Sequence, residues 1–558
     1  MESRRRLSPD AGARSGLVEA KSAGAKPKLG LRAWMERVLM ECDRAAEGFD
    51  TDPVHDLRVA LRRCRSLADG LMALDPDSSW KAMKKAGKKL FQALGDLRDM
   101  QVMQEWIEKL SDPDNPSDPV CSKLLDHVHR RETECKQDAF KDLQQFDRKQ
   151  WRQWSRGLPR RAARVRPGSV VYMHLALEKW TAAYDLHKHA LRTRSQASWH
   201  ELRIGIKRFR YTAENFLPHQ HELWGEDLKE LQDLLGEVHD LDVLWSTAVE
   251  IMAFPGIESQ RRWREKLNAE RSRRIAKYRE KMVGRQSLWR AWRAELPAGD
   301  QLRAAALGRL RVWAGYLDPD FTHSQRVTQL ALLLYDGLNN SGLLTASALA
   351  LDRVAPKAAS LKRGSSEGRS SNRASSSRFR SNHDEDWRAI LQAAALMHDV
   401  GKVKKCVNHH KASYRMIRQL PRPLGLSAQE FDLAAVVARY HRGALPRPRR
   451  QTLQALELPL RPIAMELSGI LRLANALESR NGQSLLEKES APRLEVSVQD
   501  RAVMLRVPGY SALDRSAEEI AAARHLLETV LRRPVLVRTL RLPAKVAKSA
   551  GQAPEAGD

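Results

Sequence analysis

The chain has 558 residues, 42% hydrophobic and 30% charged, with a formal net charge of +27. That length suits about two to four domains, and the excess of positive charge points to polyanionic partners such as polyphosphate, nucleic acid or an anionic surface. No run approaches the roughly 18 apolar residues of a membrane-spanning helix. The five cysteines are scattered without a CxxC pair, which argues against a disulfide framework or a zinc ribbon and for a reducing, cytoplasmic setting.

Residues 1–27 are small, basic and without an apolar core, and are expected to be a disordered tail. Residues 28–285 then read as helical almost throughout, with breaks expected at 50–53, 111–117, 167–168 and 217–218. One cationic helix is written twice. His55, Arg58, Arg62 and Arg65 share a stripe, and His200, Arg203, Lys207 and Arg210 repeat it at the same spacing 145 residues later. Arg63 and Arg208 extend the two stripes. A parallel apolar stripe accompanies each, Leu57, Leu61, Cys64, Ala68 and Leu71 in the first copy, Leu202, Ile206, Phe209, Ala213 and Phe216 in the second. Each helix therefore buries one face and presents a row of fixed positive charge on another.

A second pair strengthens the duplication: Leu94-Gly95-Asp96-Leu97-Arg98-Asp99 against Leu235-Gly236-Glu237-Val238-His239-Asp240. The offset, 141 residues, is far beyond the period of a solenoid repeat, so the chain holds two helical halves, about 28–150 and 168–285. Lys84, Lys85 and Lys88, within a lysine cluster before the first Leu-Gly-Asp, add charge that the second half matches only at Lys229. Arginine forks and lysine ammonium groups in rows suit a chain of phosphates better than one small anion.

The doubled His-(Asp/Glu)-Leu-Arg and Leu-Gly-(Asp/Glu)-x-x-Asp motifs resemble the CHAD family, the conserved histidine α-helical domains. The resemblance implies two four-helix halves around a basic groove that binds inorganic polyphosphate. The residues it would assign to that polyanion are His55, Arg58, Arg62, Arg63, Arg65, His200, Arg203, Lys207, Arg208 and Arg210.

From about residue 300 the pattern changes, and a second unit is expected over 300–545. Helix is expected from 301 to about 351. Residues 353–383 hold nine serines, eight Lys or Arg and one acid, so a disordered basic loop is expected over 353–385. Helical patterning resumes at Trp387 and runs to Glu478, followed by a hairpin signal around Gln499-Asp500-Arg501, a helix at Ala517–Leu531, a strand at Val535–Leu542 and a tail at 546–558.

Within this unit His398-Asp399 closes an apolar helix, with His323 upstream and His409, His410 and His441 downstream. Imidazole and carboxylate together suit manganese, iron, zinc or nickel, with magnesium also compatible. The array resembles the HD phosphohydrolase superfamily, and more closely the carboxy-terminal HD domain of the exopolyphosphatase/guanosine-pentaphosphatase family, through Met397-His398-Asp399-Val400-Gly401-Lys402, His409-His410-Lys411-Ala412-Ser413-Tyr414 and Arg439-Tyr440-His441-Arg442. That resemblance implies a divalent metal (Mn, Mg, Fe or Zn) held by His323, His398, Asp399, His410 and His441, with His398 and Asp399 as catalytic residues. His409 is expected to pack locally, and Lys402, Arg439 and Arg442 are available to hold phosphate oxygens. Asn475 stands where the superfamily places a fourth, aspartate ligand, with Glu478 nearby.

The expected fold is thus mainly α: a two-half helical bundle, then an α-helical HD-like unit with a small C-terminal β-hairpin or sheet. The expected function is polyphosphate binding joined to a metal-dependent phosphohydrolase of exopolyphosphatase type. One alternative is a non-enzymatic polyphosphate sensor on a degenerate HD scaffold, which Asn475 favours. Another is a nucleic-acid binder, which the charge favours and the 6% aromatic content, not interleaved with the basic stripes, does not.

Overall fold

The computed structural model describes residues 30–47, 49, 51–112, 118–344, 383–405, 407–479, 493–499, 501–508, 510–513 and 516–540. The expected tails at 1–27 and 546–558, and residues 353–382 of the expected loop, lie outside these. Among the described residues the fold is nineteen α-helices, one 3-10 turn and one three-stranded sheet.

The first unit runs α1 (Leu31–Glu47), α2 (Thr51–Leu71), α3 (Ser78–Ala86), α4 (Lys88–Leu110), α5 (Pro119–Gln144), α6 (Arg148–Ala162), α7 (Val170–Thr193), α8 (Gln196–Phe216), α9 (Pro218–Glu250), α10 (Ile257–Met282) and α11 (Leu288–Ala294). Pro119 and Pro218 open their helices at positions where a missing N–H costs nothing. The break expected at 50–53 is instead the first turn of α2, where Pro53 is tolerated for the same reason.

The long helices show the duplication directly. In the first half α1 packs along α2 and α4 along α5; in the second α7 packs along α8 and α9 along α10. The two long quartets agree with the four-helix halves that the resemblance implies, and α3, α6 and α11 are additional. From His55 to Leu94 is 39 residues, and from His200 to Leu235 only 35. The extra length in the first half goes into the turn after α2 and the break at Gly87, whereas α9 runs unbroken from Pro218.

The repeat helices α2 and α8 meet each other across the halves. An added Cβ on Gly70 would lie 2.2 Å from Phe216 Cε2, so only glycine admits that close approach. Arg63 pairs with Glu214 at 2.6 Å, and Asn215 donates to Ser66 Oγ at 3.1 Å. The apolar stripes anticipated from the sequence are buried, with Leu57, Leu61, Cys64, Leu202, Ile206 and Phe209 all at 0% exposure. The same core extends to Leu296, past residue 285, because Trp289 and Trp292 of α11 pack against Trp180, Phe209 and Trp224.

The second unit continues with α12 (Gly299–Leu317), α13 (Phe321–Asn340), α14 (His383–Met397), a 3-10 turn (Val400–Lys404), α15 (His409–Gln419), α16 (Ala428–Arg439), α17 (Gln451–Gln454), α18 (Leu460–Ser479), β1 (Glu495–Gln499), β2 (Ala502–Pro508), α19 (Ser516–Leu531) and β3 (Val535–Leu540). Helix α14 begins three residues inside the loop expected to end at 385, since helix propagates readily into a preceding turn once its apolar face has nucleated it. The expected hairpin forms, β1 antiparallel to β2 with Val498 opposite Val503. Strand β3 joins parallel to β2 through α19, completing the order β1-β2-β3. A separate core holds α13, α14, α16, α18 and the sheet together.

Helix α12 lies between the units, packing on α7 to one side and α14 to the other. Arg309 of α12 pairs with Glu178 of α7 and donates to the Ala73 carbonyl. The His174 ring, fully buried, has Nε2 2.8 Å from the Leu424 carbonyl, and Tyr316 donates to the Arg161 carbonyl at 2.8 Å. No described helix is long and apolar enough to cross a membrane.

Candidate polyanion trough and metal centre

The two cationic stripes converge in part. Arg58 and Arg62 of α2 act electrostatically on Lys207 of α8, as does Arg203. Burial, then these three guanidinium groups, pulls Lys207 down to about 8. Four cations from two helices therefore repel one another across one trough, a strain that a bound polyanion would relieve.

The remaining stripe residues are dispersed. Arg63 is occupied by Glu214 and lies 5.7 Å over Trp34. Arg65 donates to the Lys84 carbonyl at 2.6 Å and lies over Phe91, while Lys84 itself pairs with Asp69. Arg208 acts on Lys179 of α7, and Arg210 acts on Asp233 of α9. His55, Lys85 and Lys88 are exposed. His200 does not face the solvent alone: its Nδ1 lies 3.3 Å from His239 Nδ1, and the rings are 4.6 Å apart.

Sequence reasoning noticed the Leu-Gly-(Asp/Glu) motifs but gave their acids no role. In the fold they stand among the cations. Asp99 of the first half acts on Arg58, Arg203 and Lys207, and Asp240 of the second on Arg203 and Arg98. Burial raises both, Asp240 to about 6. A cavity of about 400 Å³ between α4, α8 and α9 is lined by Arg203, Lys207 and Lys109 but also by Glu105, Asp233, Glu237 and Asp240. The trough is therefore a cationic surface with carboxylates set into its wall, and the signal for them was the repetition of the motif itself.

The second site gathers around Asp399. Helix α14 ends at Met397 and a 3-10 turn starts at Val400, which leaves His398 and Asp399 on the corner between them. Gly401 makes that corner possible: a Cβ there would fall 2.2 Å from the His409 carbonyl and 2.5 Å from Ser413 N. Ser413 fastens the corner, donating to the His398 carbonyl at 2.7 Å and accepting from Gly401 N at 2.9 Å.

Two histidines are oriented by the backbone. His398 Nδ1 donates to the Ala395 carbonyl at 2.7 Å and His441 Nδ1 to the Ala438 carbonyl at 2.8 Å. Each thereby keeps the Nε2 lone pair for the site, an arrangement that fixes tautomer and ring angle in metal ligands. His398 Nε2 lies 3.3 Å and His323 Nε2 3.8 Å from Asp399 Oδ2. On the other carboxylate oxygen, His409 Nε2 lies 3.2 Å and His441 Nε2 3.6 Å from Oδ1.

Two three-residue sets thus share Asp399, namely His323, His398 and Asp399, and Asp399, His409 and His441. Each has its donor atoms within 4.8 Å of one another. Burial would raise the Asp399 carboxyl, but His398 and His409 override it and hold it well below the usual carboxylate range. Burial, then the neighbouring His398, lowers both His323 and His441, keeping their lone pairs free. His398 Nε2 and Asp399 Oδ1 are buried without hydrogen-bond partners. Neutral imidazoles, an anionic carboxylate and two orphaned donor atoms fit a divalent transition metal.

His410 is not in either set. Adjacent residues on a helix point about 100° apart, so only one of His409 and His410 can reach Asp399, and it is His409. Asn475 of α18 presents Oδ1 to His323 Nε2 at 3.1 Å, and Glu478, one turn on, pairs with Arg326. Lys402 places its ammonium 2.5 Å from Asp399 Oδ2. These groups and Arg442 line a cavity of about 320 Å³.

Comparison with known proteins divides the chain at the same place. Residues 30–249 match the CHAD domain, and residues 352–508 match the Ppx/GppA phosphatase domain III. Among solved structures, the CHAD domain from the plant Ricinus communis aligns at 23% identity over 47% of this chain and 88% of that one, with a TM-score of 0.30. No curated protein matches the chain.

Proposed function

From a chain that joins a CHAD domain to a Ppx/GppA phosphatase domain III, we propose a protein that captures inorganic polyphosphate on its helical repeat and carries a metal-dependent phosphohydrolase-like unit behind it. The observation that carries the first half of this reading is the convergence of Arg58, Arg62, Arg203 and Lys207 from two duplicated helices. Asp99 and Asp240 hold these cations in place when the trough is free, and an extended phosphate polymer outcompetes them by charge. Linking a polymer reader to a hydrolytic unit raises the local substrate concentration.

For the second half, His323 and His398 on one oxygen of Asp399, and His409 and His441 on the other, would hold the metal. Bound there, a divalent ion supplies Lewis acidity and an activated water. The chain's own groups orient the reactants: Lys402 and Arg442 face the cavity and steady phosphoryl oxygens, and the Ala395 and Ala438 carbonyls hold the imidazoles in register. Asn475 supports a second reading, a polyphosphate sensor without hydrolysis, because an amide is a weaker ligand than a carboxylate for a hard cation.

The deciding measurement is a polyphosphate titration by calorimetry on the wild type and on R58A/R62A/R203A/K207A. The variant is expected to bind on the order of a hundredfold more weakly, with a shallower salt dependence. Equal affinity would refute the trough. Phosphate release from polyphosphate with manganese separates the enzyme from the sensor. Displacement by short DNA or RNA at equal phosphate concentration would instead favour the nucleic-acid binder.

A further inference from the structure

Next to the metal centre lies a second group of charges that the fold leaves without counterions. Lys411, Arg439 and Arg442 all act on the ring of His410, Arg450 acts on Arg439, and Arg442 acts on Arg472. Among the described residues none of these five cations forms an ion pair with a carboxylate. Elsewhere in the chain, enclosed arginines do: Arg161 with Asp75, Arg274 with Glu237, Arg309 with Glu178 and Arg326 with Glu478. Arg439 Nη1 and His410 Nδ1 are buried with no hydrogen-bond partner, and His410 is only 7% exposed. Burying such groups unpaired costs free energy that an anion would recover.

The backbone adds a second, independent pointer. His410 is the second residue of α15, whose N-cap Asn408 makes no side-chain capping bond. The first-turn N–H groups of an 11-residue helix are therefore left facing the same cluster, with the positive end of the helix dipole behind them. The opposing turn is rigid. Gly443, at φ +74°, sits against His410 so closely that a Cβ would lie 3.0 Å from Nε2. Arg472 donates to the Tyr440 carbonyl at 3.3 Å and the Gly443 carbonyl at 2.6 Å, which fixes the segment bearing Arg442.

The cluster borders the metal centre. The His410 ring is 5.9 Å from that of His409 and 6.3 Å from that of His441, and Arg442 lines the cavity that contains Asp399. We propose that His410, Lys411, Arg439, Arg442 and the N-terminus of α15 form an oxyanion subsite for a phosphoryl group adjoining the one presented to Asp399. The cleft then takes a phosphoanhydride of two or more phosphoryl groups, not a lone phosphate monoester. This rests on the phosphohydrolase-like reading of the neighbouring centre, but the subsite is tested without it.

The test uses the full chain carrying R58A/R62A/R203A/K207A, so that the trough does not contribute, in EDTA. Pyrophosphate is titrated by calorimetry, with phenyl phosphate and inorganic phosphate as separate arms. Pyrophosphate is expected to bind one-to-one and at least tenfold more tightly than either. R439A/R442A should erase that preference, and the exposed-site variant K411Q, which leaves packing untouched, should reduce it severalfold. Unchanged pyrophosphate affinity in both variants, or phenyl phosphate binding as tightly as pyrophosphate, overturns the subsite. Inorganic phosphate binding as tightly as pyrophosphate identifies a product site and overturns the phosphoanhydride assignment. A parallel manganese titration that shows no binding would sink the metal reading alone and leave the subsite result standing.

Discussion

Arg309 in α12 and Glu178 in α7 form an ion pair across the junction of the two units, with Arg309 only 7% exposed. The pair sits beside the buried His174, whose Nδ1 lies 4.0 Å from the same carboxylate. Lys179, the next residue on α7, is acted on by Arg208 of the cationic repeat. The junction is thus a polar seam closed by packing, and it fixes the trough-bearing helices relative to α12 and α14.

Breaking that pair should loosen the junction. Arg309→Leu leaves the Glu178 charge largely enclosed and unpaired and is expected to cost about 2 kcal/mol or more. Because the chain has two cores, the effect should appear as a lowered first transition, or a splitting of one transition into two, in a calorimetric melt. A melt superposable on the wild type would show that the seam is held by apolar contacts alone.

Polyphosphate affinity should rise as pH falls from about 9 to 5. Lys207 has its free-state value pulled down to about 8 by burial and by Arg203, Arg62 and Arg58. Above that pH it is neutral in the free trough, so binding must take up a proton and weakens. Asp240, pushed up by burial to about 6, is anionic above that value and opposes a polyanion; below it the carboxyl is neutral and the opposition ends. Both groups act in the same direction. Titrations in buffers of different ionisation enthalpy should show net proton uptake near pH 8, and Lys207→Arg should remove it. An affinity flat from pH 7 to 9 would contradict this account.

Much of this was legible in the residues. The duplication, the buried stripes and the hairpin each follow a strict period, and period survives into structure because it decides which face is apolar. What the sequence hid was mutual position. Nothing local says that Arg63 would be spent on Glu214 or Arg65 on the Lys84 carbonyl, since both partners are distant in the fold's contact pattern. The choice between His409 and His410 depends on the rotation of α15, which Gly401 and Ser413 set from another element. The role of Asp99 required the second half to be folded against the first.

Metal binding should depend on Asp399 above every other group, since it alone belongs to both sets. Asp399→Asn is expected to abolish manganese binding in a calorimetric or mass-spectrometric assay, while His410→Ala leaves it intact. His409→Ala should weaken it by about 10–100-fold, within the range seen when a supporting ligand shell is disturbed. If His410→Ala proved the more damaging change, the assignment of His409 would be wrong.

Lys402 and Asn475 together set how strongly the centre holds a cation. The Lys402 ammonium, 2.5 Å from Asp399 Oδ2, occupies the carboxylate oxygen that His323 and His398 also face, so a metal must displace it. Asn475 offers His323 an amide oxygen where a carboxylate would add charge. Lys402→Ala removes a competitor and Asn475→Asp adds a charged ligand beside it. Each should tighten manganese binding by about tenfold, near 1.4 kcal/mol. The double variant should exceed either, with the two effects less than additive because both act through Asp399 and its adjoining histidines. Unaltered affinity in Asn475→Asp would mean that α18 stands too far from the metal position to ligate it, and that the set on Asp399 Oδ1, His409 and His441, is where a cation binds.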